Sequence, residues 1–146
     1  MIALHGTAFA AVRNTNSAPA DYRFKVEVLA EGMPQPMELE LAPDGRIFFN
    51  EISGKLKIYK PATHDVAVAG VISVFAEQEN GFLGFALDPA FKNNQWIYLY
   101  YSPTNYAGQR LSRFAMRGDQ LDLASEIHLL EFGEQRQECC HHAGSA

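Results

Sequence analysis

The sequence predicts an all-β chain built on a repeated four-strand unit, and three observations carry that prediction. Apolar and polar residues alternate at period two over most of the chain, which is the periodicity of a strand with one face buried. Turn residues, chiefly Pro, Gly, Asp and Asn, recur at short intervals between those runs. No segment carries a long apolar stripe at the 3.6-residue period, so helix is expected to be scarce.

The elements follow in order. Phe24, Val26 and Val28 alternate with Lys25 and Glu27, as in a half-buried strand. Met37, Leu39 and Leu41 alternate with Glu38 and Glu40 in the same way. Pro43-Asp44-Gly45 then turns the chain, because proline fixes its own φ and glycine accepts φ > 0. Residues 46–51 form the next strand, Ser53-Gly54 a turn, and residues 55–60 alternate again. Pro61-Ala62-Thr63 breaks the pattern before a further strand at 71–75. The result is an antiparallel meander of short strands joined by tight turns.

A second set repeats the plan. Residues 82–87 are an apolar run ending in Asp88-Pro89, and residues 96–101 are apolar on both faces, as a strand sandwiched between layers is. Residues 110–116 and 127–132 complete the set, with short helical turns expected near Pro89-Ala90-Phe91 or Leu121-Asp122-Leu123. Leu39-Glu40-Leu41-Ala42-Pro43 aligns with Phe85-Ala86-Leu87-Asp88-Pro89, 46 residues later. A four-strand unit recurring every 40–50 residues or so is the signature of a β-propeller blade. The competing reading is two unrelated meanders in a sandwich or open barrel. A blade buries both faces only by stacking on neighbours, and a ring takes about four blades or more. The sequence therefore predicts two blades and the start of a third, the N-terminal part of a longer protein.

Composition narrows the function. With 12 Lys and Arg against 17 Asp and Glu, the net charge of -5 argues against a nucleic-acid partner, whose binders present basic stripes. At 47% hydrophobic and 20% charged residues the chain is no disordered segment. The apolar runs are too short for a membrane span, which takes roughly 18 residues. The only cysteines are the neighbours Cys139 and Cys140, which excludes a disulfide scaffold. Residues 1–21 read as a leader or disordered segment ahead of the propeller part at 22–146, and Ser17-Ala18-Pro19-Ala20 has the small residues found at signal cleavage sites.

In a propeller, the segment before each innermost strand lies at one mouth of the central axis. Met33-Pro34-Gln35-Pro36, Glu77-Gln78-Glu79-Asn80-Gly81 and Glu138-Cys139-Cys140-His141-His142 are the three such segments, and loops on a rigid scaffold are where function gathers. The stretch Glu79-Asn80-Gly81-Phe82-Leu83-Gly84-Phe85-Ala86-Leu87-Asp88-Pro89-Ala90-Phe91-Lys92-Asn93-Asn94 resembles the signature of the soluble quinoprotein glucose and sorbosone dehydrogenases. Leu41-Ala42-Pro43-Asp44-Gly45-Arg46-Ile47 with Glu51, and His141-His142-Ala143-Gly144, resemble other parts of that family.

The resemblance implies a six-bladed propeller that holds pyrroloquinoline quinone (PQQ) over its axis, usually with calcium, and oxidises the anomeric hydroxyl of an aldose. It implies His141 as the catalytic base, a role suited to an imidazole that is largely neutral near pH 7. Glu79, Asn80 and His142 are the candidate cofactor-binding residues. Glu79 stands where glucose-oxidising members carry glutamine, which sets a carboxylate beside an anionic cofactor. No metal ligand is assigned in this chain, the calcium segment and the remaining quinone ligands being expected in later blades. The implied partners are a sugar substrate and an electron acceptor such as a cytochrome, and the implied location is periplasmic or secreted. The adjacent cysteines could pair as a strained vicinal disulfide, since adjacent Cα atoms sit about 3.8 Å apart. They could also join the histidines on zinc, or simply pack reduced. The alternatives to a dehydrogenase are a catalytically silent propeller binding carbohydrate or protein, and a hydrolase-type propeller holding a metal through axial carboxylates such as Glu38 or Glu79.

Overall fold

A computed structural model of the chain describes residues 21–136. After a 3-10 turn at Asp21–Arg23, the regular structure is almost wholly strand. Strands β1 (Pro36–Leu41), β2 (Ile47–Glu51), β3 (Lys55–Lys60) and β4 (Asp65–Val71) pair antiparallel, in sequence order, into one sheet. Strands β5 (Phe82–Leu87), β6 (Trp96–Tyr101), β7 (Gly108–Arg117) and β8 (Gln120–Gly133) form a second sheet of the same order. A short helix, α1 (Phe91–Asn94), interrupts the connection between β5 and β6. The repeat is visible in the strand bounds: moving β1 forward by 46 residues, from Pro36 to Phe82, places both of its ends on those of β5.

The two sheets pack face to face. Phe48, Leu56, Ile58 and Ala69 of the first meet Phe85, Ile97, Leu99 and Phe114 of the second. Alternation explains which residues point inward: along β6, Ile97, Leu99 and Tyr101 are buried while Tyr98 and Tyr100 are half-buried. Each fully buried Phe, Leu or Ile removes enough apolar surface from water to contribute about 1.5–3 kcal/mol. Helix α1 exists to deliver one such group, since Phe91 is buried and meets the Phe48 ring edge-on at 5.7 Å. β1 lies beside β5 and β4 beside β8. Corresponding strands of successive units therefore adjoin, as they do in neighbouring blades of a β-propeller.

Polar contacts fasten the pair at the end remote from the turns that precede β1 and β5. The Arg46 guanidinium donates to Gly118 O at 2.9 Å and Asp119 Oδ1 at 2.8 Å, and also pairs with Asp44 at 2.8 Å. The Leu87 amide donates to Glu40 Oε2 at 3.0 Å, which links the two first strands.

Four expectations change. Residues 24–28 form no strand; Phe24, Val26 and Val28 stay exposed because no neighbouring strand among the described residues pairs with them. The fourth strand of the first sheet is 65–71 rather than 71–75, since β3 can pair back only directly after the turn at 61–64. Leu121-Asp122-Leu123 lies inside β8 instead of a helical turn, because the backbone of β7 captures it. For the same reason β8 begins at Gln120, well before the expected 127. Residues 1–20, the third lead-in segment and the start of a third blade fall outside the described residues.

Candidate functional site

Two of the three predicted mouth turns come together. The Ile52 amide, at the end of β2, donates to Gln35 O at 3.1 Å, and Ile52 O accepts from the Phe82 amide at 2.9 Å. Ile52 thus bridges the turn before β1 to the turn before β5. Gln35 and Gln78 hold left-handed backbone conformations there, with φ of 45° and 59°, a region uncommon for residues with a Cβ. Gly81 closes the joint. At φ +147° its ideal Cβ would sit 2.6 Å from Ile52 O, so only a residue without a side chain fits.

Asn80 anchors the second turn from below. It is 1% exposed, and its Oδ1 accepts from Ser102 Oγ and Gln109 Nε2, both at 2.8 Å. Ser102 Oγ in turn accepts from the Gly81 amide at 3.1 Å, and Gln109 Nε2 also donates to Glu134 Oε2 at 2.7 Å. Arg136 extends the network, with Nε toward Glu134 at 3.1 Å, Nη1 donating to Pro103 O at 3.0 Å and Nη2 to Gly108 O at 2.7 Å. Its guanidinium lies 4.5 Å from the centre of the Phe75 ring. The ends of β6, β7 and β8 are therefore stitched to the turn that carries Glu79. A buried polar network of this kind rigidifies its surroundings when its members are satisfied.

The structure places the candidate residues unequally. Glu79 and Asn80 lie side by side at the mouth, Glu79 half-buried and Asn80 buried. His141 and His142, with Cys139 and Cys140, lie outside the described residues. Glu38 of β1 is half-buried, and its amide donates to Asn50 Oδ1 at 2.8 Å. Among the described residues, no group of three or more His, Cys, Asp or Glu is arranged to hold a metal ion. Glu51 is buried at the mouth end of β2, where it pairs with Lys57 and lies 3.7 Å from Lys55. Much of the Asp88 to Asn94 signature is structural. Asp88 Oδ1 accepts from the Ala90 amide and from Asn94 Nδ2, both at 2.8 Å, and Oδ2 accepts from the Tyr98 hydroxyl at 2.6 Å. Those bonds, led by that of Tyr98, hold the Asp88 carboxyl below its ordinary value.

Residues 33–146 match the Glucose / Sorbosone dehydrogenase family. The chain belongs to that family. An uncharacterized protein of Synechocystis is 32% identical over 108 residues, covering 66% of this chain and 26% of that protein. Quinoprotein glucose dehydrogenase B of Acinetobacter calcoaceticus is 33% identical over 100 residues, covering 64% of this chain and 21% of that protein. The chain thus spans about a quarter of the length of these curated relatives. Among solved structures, a putative oxidoreductase (glucose dehydrogenase) of Thermus thermophilus superposes with a TM-score of 0.72 at 23% identity, covering 83% of this chain and 36% of that one. The PQQ-bound form of an aldose sugar dehydrogenase from Streptomyces coelicolor gives a TM-score of 0.64 at 20% identity, covering 73% and 33%. These likenesses are of fold, and they agree with two blades of a propeller. Among the described residues no helix is long and apolar enough to cross a membrane.

The guanidinium of Arg136 is committed to two carbonyls and to Glu134. Asn80 Oδ1 is likewise engaged, so what that residue can offer a ligand is its amide nitrogen. The described residues around the 77–81 turn thus form a braced wall. Sequence reasoning missed Ser102, Gln109, Glu134 and Arg136. The one available signal was polarity at the ends of otherwise apolar strands, which reads equally well as solvent exposure.

Proposed function

We propose that this chain contributes two adjacent blades and the base-bearing segment to a sugar dehydrogenase that oxidises an aldose-type hydroxyl. The observation that carries the reading is the convergence of the turns before β1 and β5 through Ile52, in a chain whose family match runs on through His141. On this reading His141, which leads into the next blade, takes the proton of the substrate hydroxyl. An imidazole largely neutral at working pH is suited to that role. Glu79, Asn80 and His142 face the cofactor, with Asn80 held in place by Ser102 and Gln109. PQQ is the cofactor that the names of the relatives point to. Calcium and the cationic residues that would balance the quinone belong to other blades. An electron acceptor such as a cytochrome, and a periplasmic or secreted location, complete the proposal.

The test uses the protein that contains this chain. Titration with PQQ, followed by its absorbance, should show saturable binding, and an aldose should then reduce a dye. His141→Ala should lower kcat by about 10²–10⁴ while leaving quinone binding intact. Full turnover in that variant would remove His141 from the base role. A protein that takes up no quinone would instead be the silent propeller that binds carbohydrate or protein.

A further inference from the structure

A separate cavity of about 260 Å³ opens between the two sheets, toward their outer strands. It is walled by Ile72, Tyr101, Arg110, Phe114, Leu123 and Glu126, with Thr104 at its rim. None of its lining residues belongs to β1, to β5 or to the 77–81 turn, and it shares with the network around Asn80 only Pro103, whose carbonyl accepts from Arg136.

The backbone is shaped to make this space. Opposite Arg113 and Ala115 of β7, β8 passes from Ile127 to Asp122, so residues 123–126 bulge out of the ladder. The bulge is pinned, because Ser125 Oγ donates to Asp122 O at 2.6 Å and accepts from the Ala115 amide at 2.8 Å. Across the cleft, β4 bulges at Ala69, between the partners of Leu56 and Lys57. Bulges bend strands and re-aim side chains, and they are over-represented beside functional sites. Here one of them sets Leu123 and Glu126 into the cavity wall.

The polar groups form an ordered set. Glu126 Oε1 accepts from the Tyr101 hydroxyl and from Ser112 Oγ at 2.7 Å, and His128 Nε2 lies 3.3 Å away. These contacts converge on one carboxylate oxygen and leave Oε2 as an acceptor for a ligand. Arg110 is 9% exposed; its Nε donates to Glu131 at 2.5 Å and the guanidinium also bonds the Tyr101 hydroxyl, which leaves further N–H donors on the terminal nitrogens. Burial opposes the charge on Glu126, but the bonds from Tyr101 and Ser112 outweigh it and hold the carboxyl below its ordinary value. The cavity thus presents a fixed donor, a fixed acceptor and an apolar wall. Within the lining Arg110 and Glu126 carry opposite charges that act on each other, so an ionic ligand of either sign meets a like charge as well as an opposite one. Neighbouring hydroxyl groups, each able to donate and accept, match the pair, and a ring's C–H face matches Ile72 and Phe114. The volume falls just below the roughly 300 Å³ at which sites for drug-sized ligands begin.

We propose that this inter-sheet cleft is a second binding site, for a neutral polyhydroxylated ligand of monosaccharide size. The site stands independently of the dehydrogenase reading. The probes are methyl α-D-glucopyranoside, whose anomeric hydroxyl is blocked and cannot be oxidised, and myo-inositol, followed by saturation-transfer NMR. At least one should bind in the millimolar range and do so equally well to His141→Ala. Glu126→Gln, which keeps the shape but weakens the acceptor, should reduce affinity about tenfold, the change that corresponds to ~1.4 kcal/mol. Thr104→Trp, an exposed substitution that plugs the rim without touching the core, should abolish binding while the melting curve stays that of the parent. Failure of both probes to bind at about 100 mM, a range no useful site would exceed, would overturn the proposal. So would binding that survives Thr104→Trp, that keeps its full affinity in Glu126→Gln, or that is lost in His141→Ala.

Discussion

Gln109 has two amide protons, and directs one to Asn80 and the other to Glu134. Replacing it with Ala leaves two acceptors short of a donor in a largely buried place, which should destabilise the fold by about 1–3 kcal/mol. Urea unfolding measures this, and a loss below about 0.5 kcal/mol, the level of an ordinary surface change, would mean that the network is dispensable. Glu126 makes a second prediction, with a sign. Its folded pKa lies below the ordinary 4.5, so the unfolded chain takes up that proton first. Its stabilisation is therefore full above that ordinary value and lost as the pH falls through the folded one. Between about pH 5 and pH 3 the parent should lose stability faster than Glu126→Gln, because only the parent carries the titrating carboxyl. Parallel slopes in the two proteins would refute it. At this scale the sequence was legible only in part. Asn80 was singled out because it falls in the stretch that resembles the family signature, whereas its partners lie 22 and 29 positions away. Nothing local to Ser102 or Gln109 announces a bond across that distance.

Elements were easier to read, because period-two alternation is a local property. Seven of the eight strands among the described residues lie where alternation or an apolar run placed a strand, though often with shifted ends. The misreadings have one cause. Residues 24–28 have the pattern of a strand but no partner, and β4 was set by where β3 could pair rather than by the most apolar run nearby. Gly81 tests the joint between elements. Gly81→Ala brings a Cβ within 2.5 Å of Ile52 Cγ1 in addition to its backbone strain, whereas Gly118→Ala, at φ +63°, meets nothing within 4 Å. Both should lose the roughly 1–3 kcal/mol of an unfavourable backbone region, and Gly81→Ala distinctly more. Equal losses in thermal melts would show that the contact with Ile52 yields easily.

For the whole molecule, the 46-residue repeat made the paired-blade architecture legible, since each unit must bury a face it cannot cover alone. The fit between the units was not legible. Arg46 reaches Gly118 across 72 positions, and Gly70 packs so tightly that an added Cβ would lie 2.7 Å from Leu121 Cβ. Gly70→Ala should therefore wedge the sheets apart at β4 and β8 and cost about 1–3 kcal/mol through overpacking. Calorimetry should show this as a melting point lower by several degrees, at about 2–4 °C per kcal/mol for a chain of this size. An unchanged melting point would show that the interface has slack.

Each sheet is made of strands consecutive in sequence. The first can consequently assemble while the ribosome is still adding the second, at rates of about 5–20 residues per second. During that interval its inward face, with Phe48 and Ile58, has no cover, and the nascent chain is at its stickiest. Holdase chaperones should engage this polypeptide most strongly after residue 71 emerges and release it once residues 82–101 have docked, an order that ribosome profiling of chaperone-bound chains would reveal.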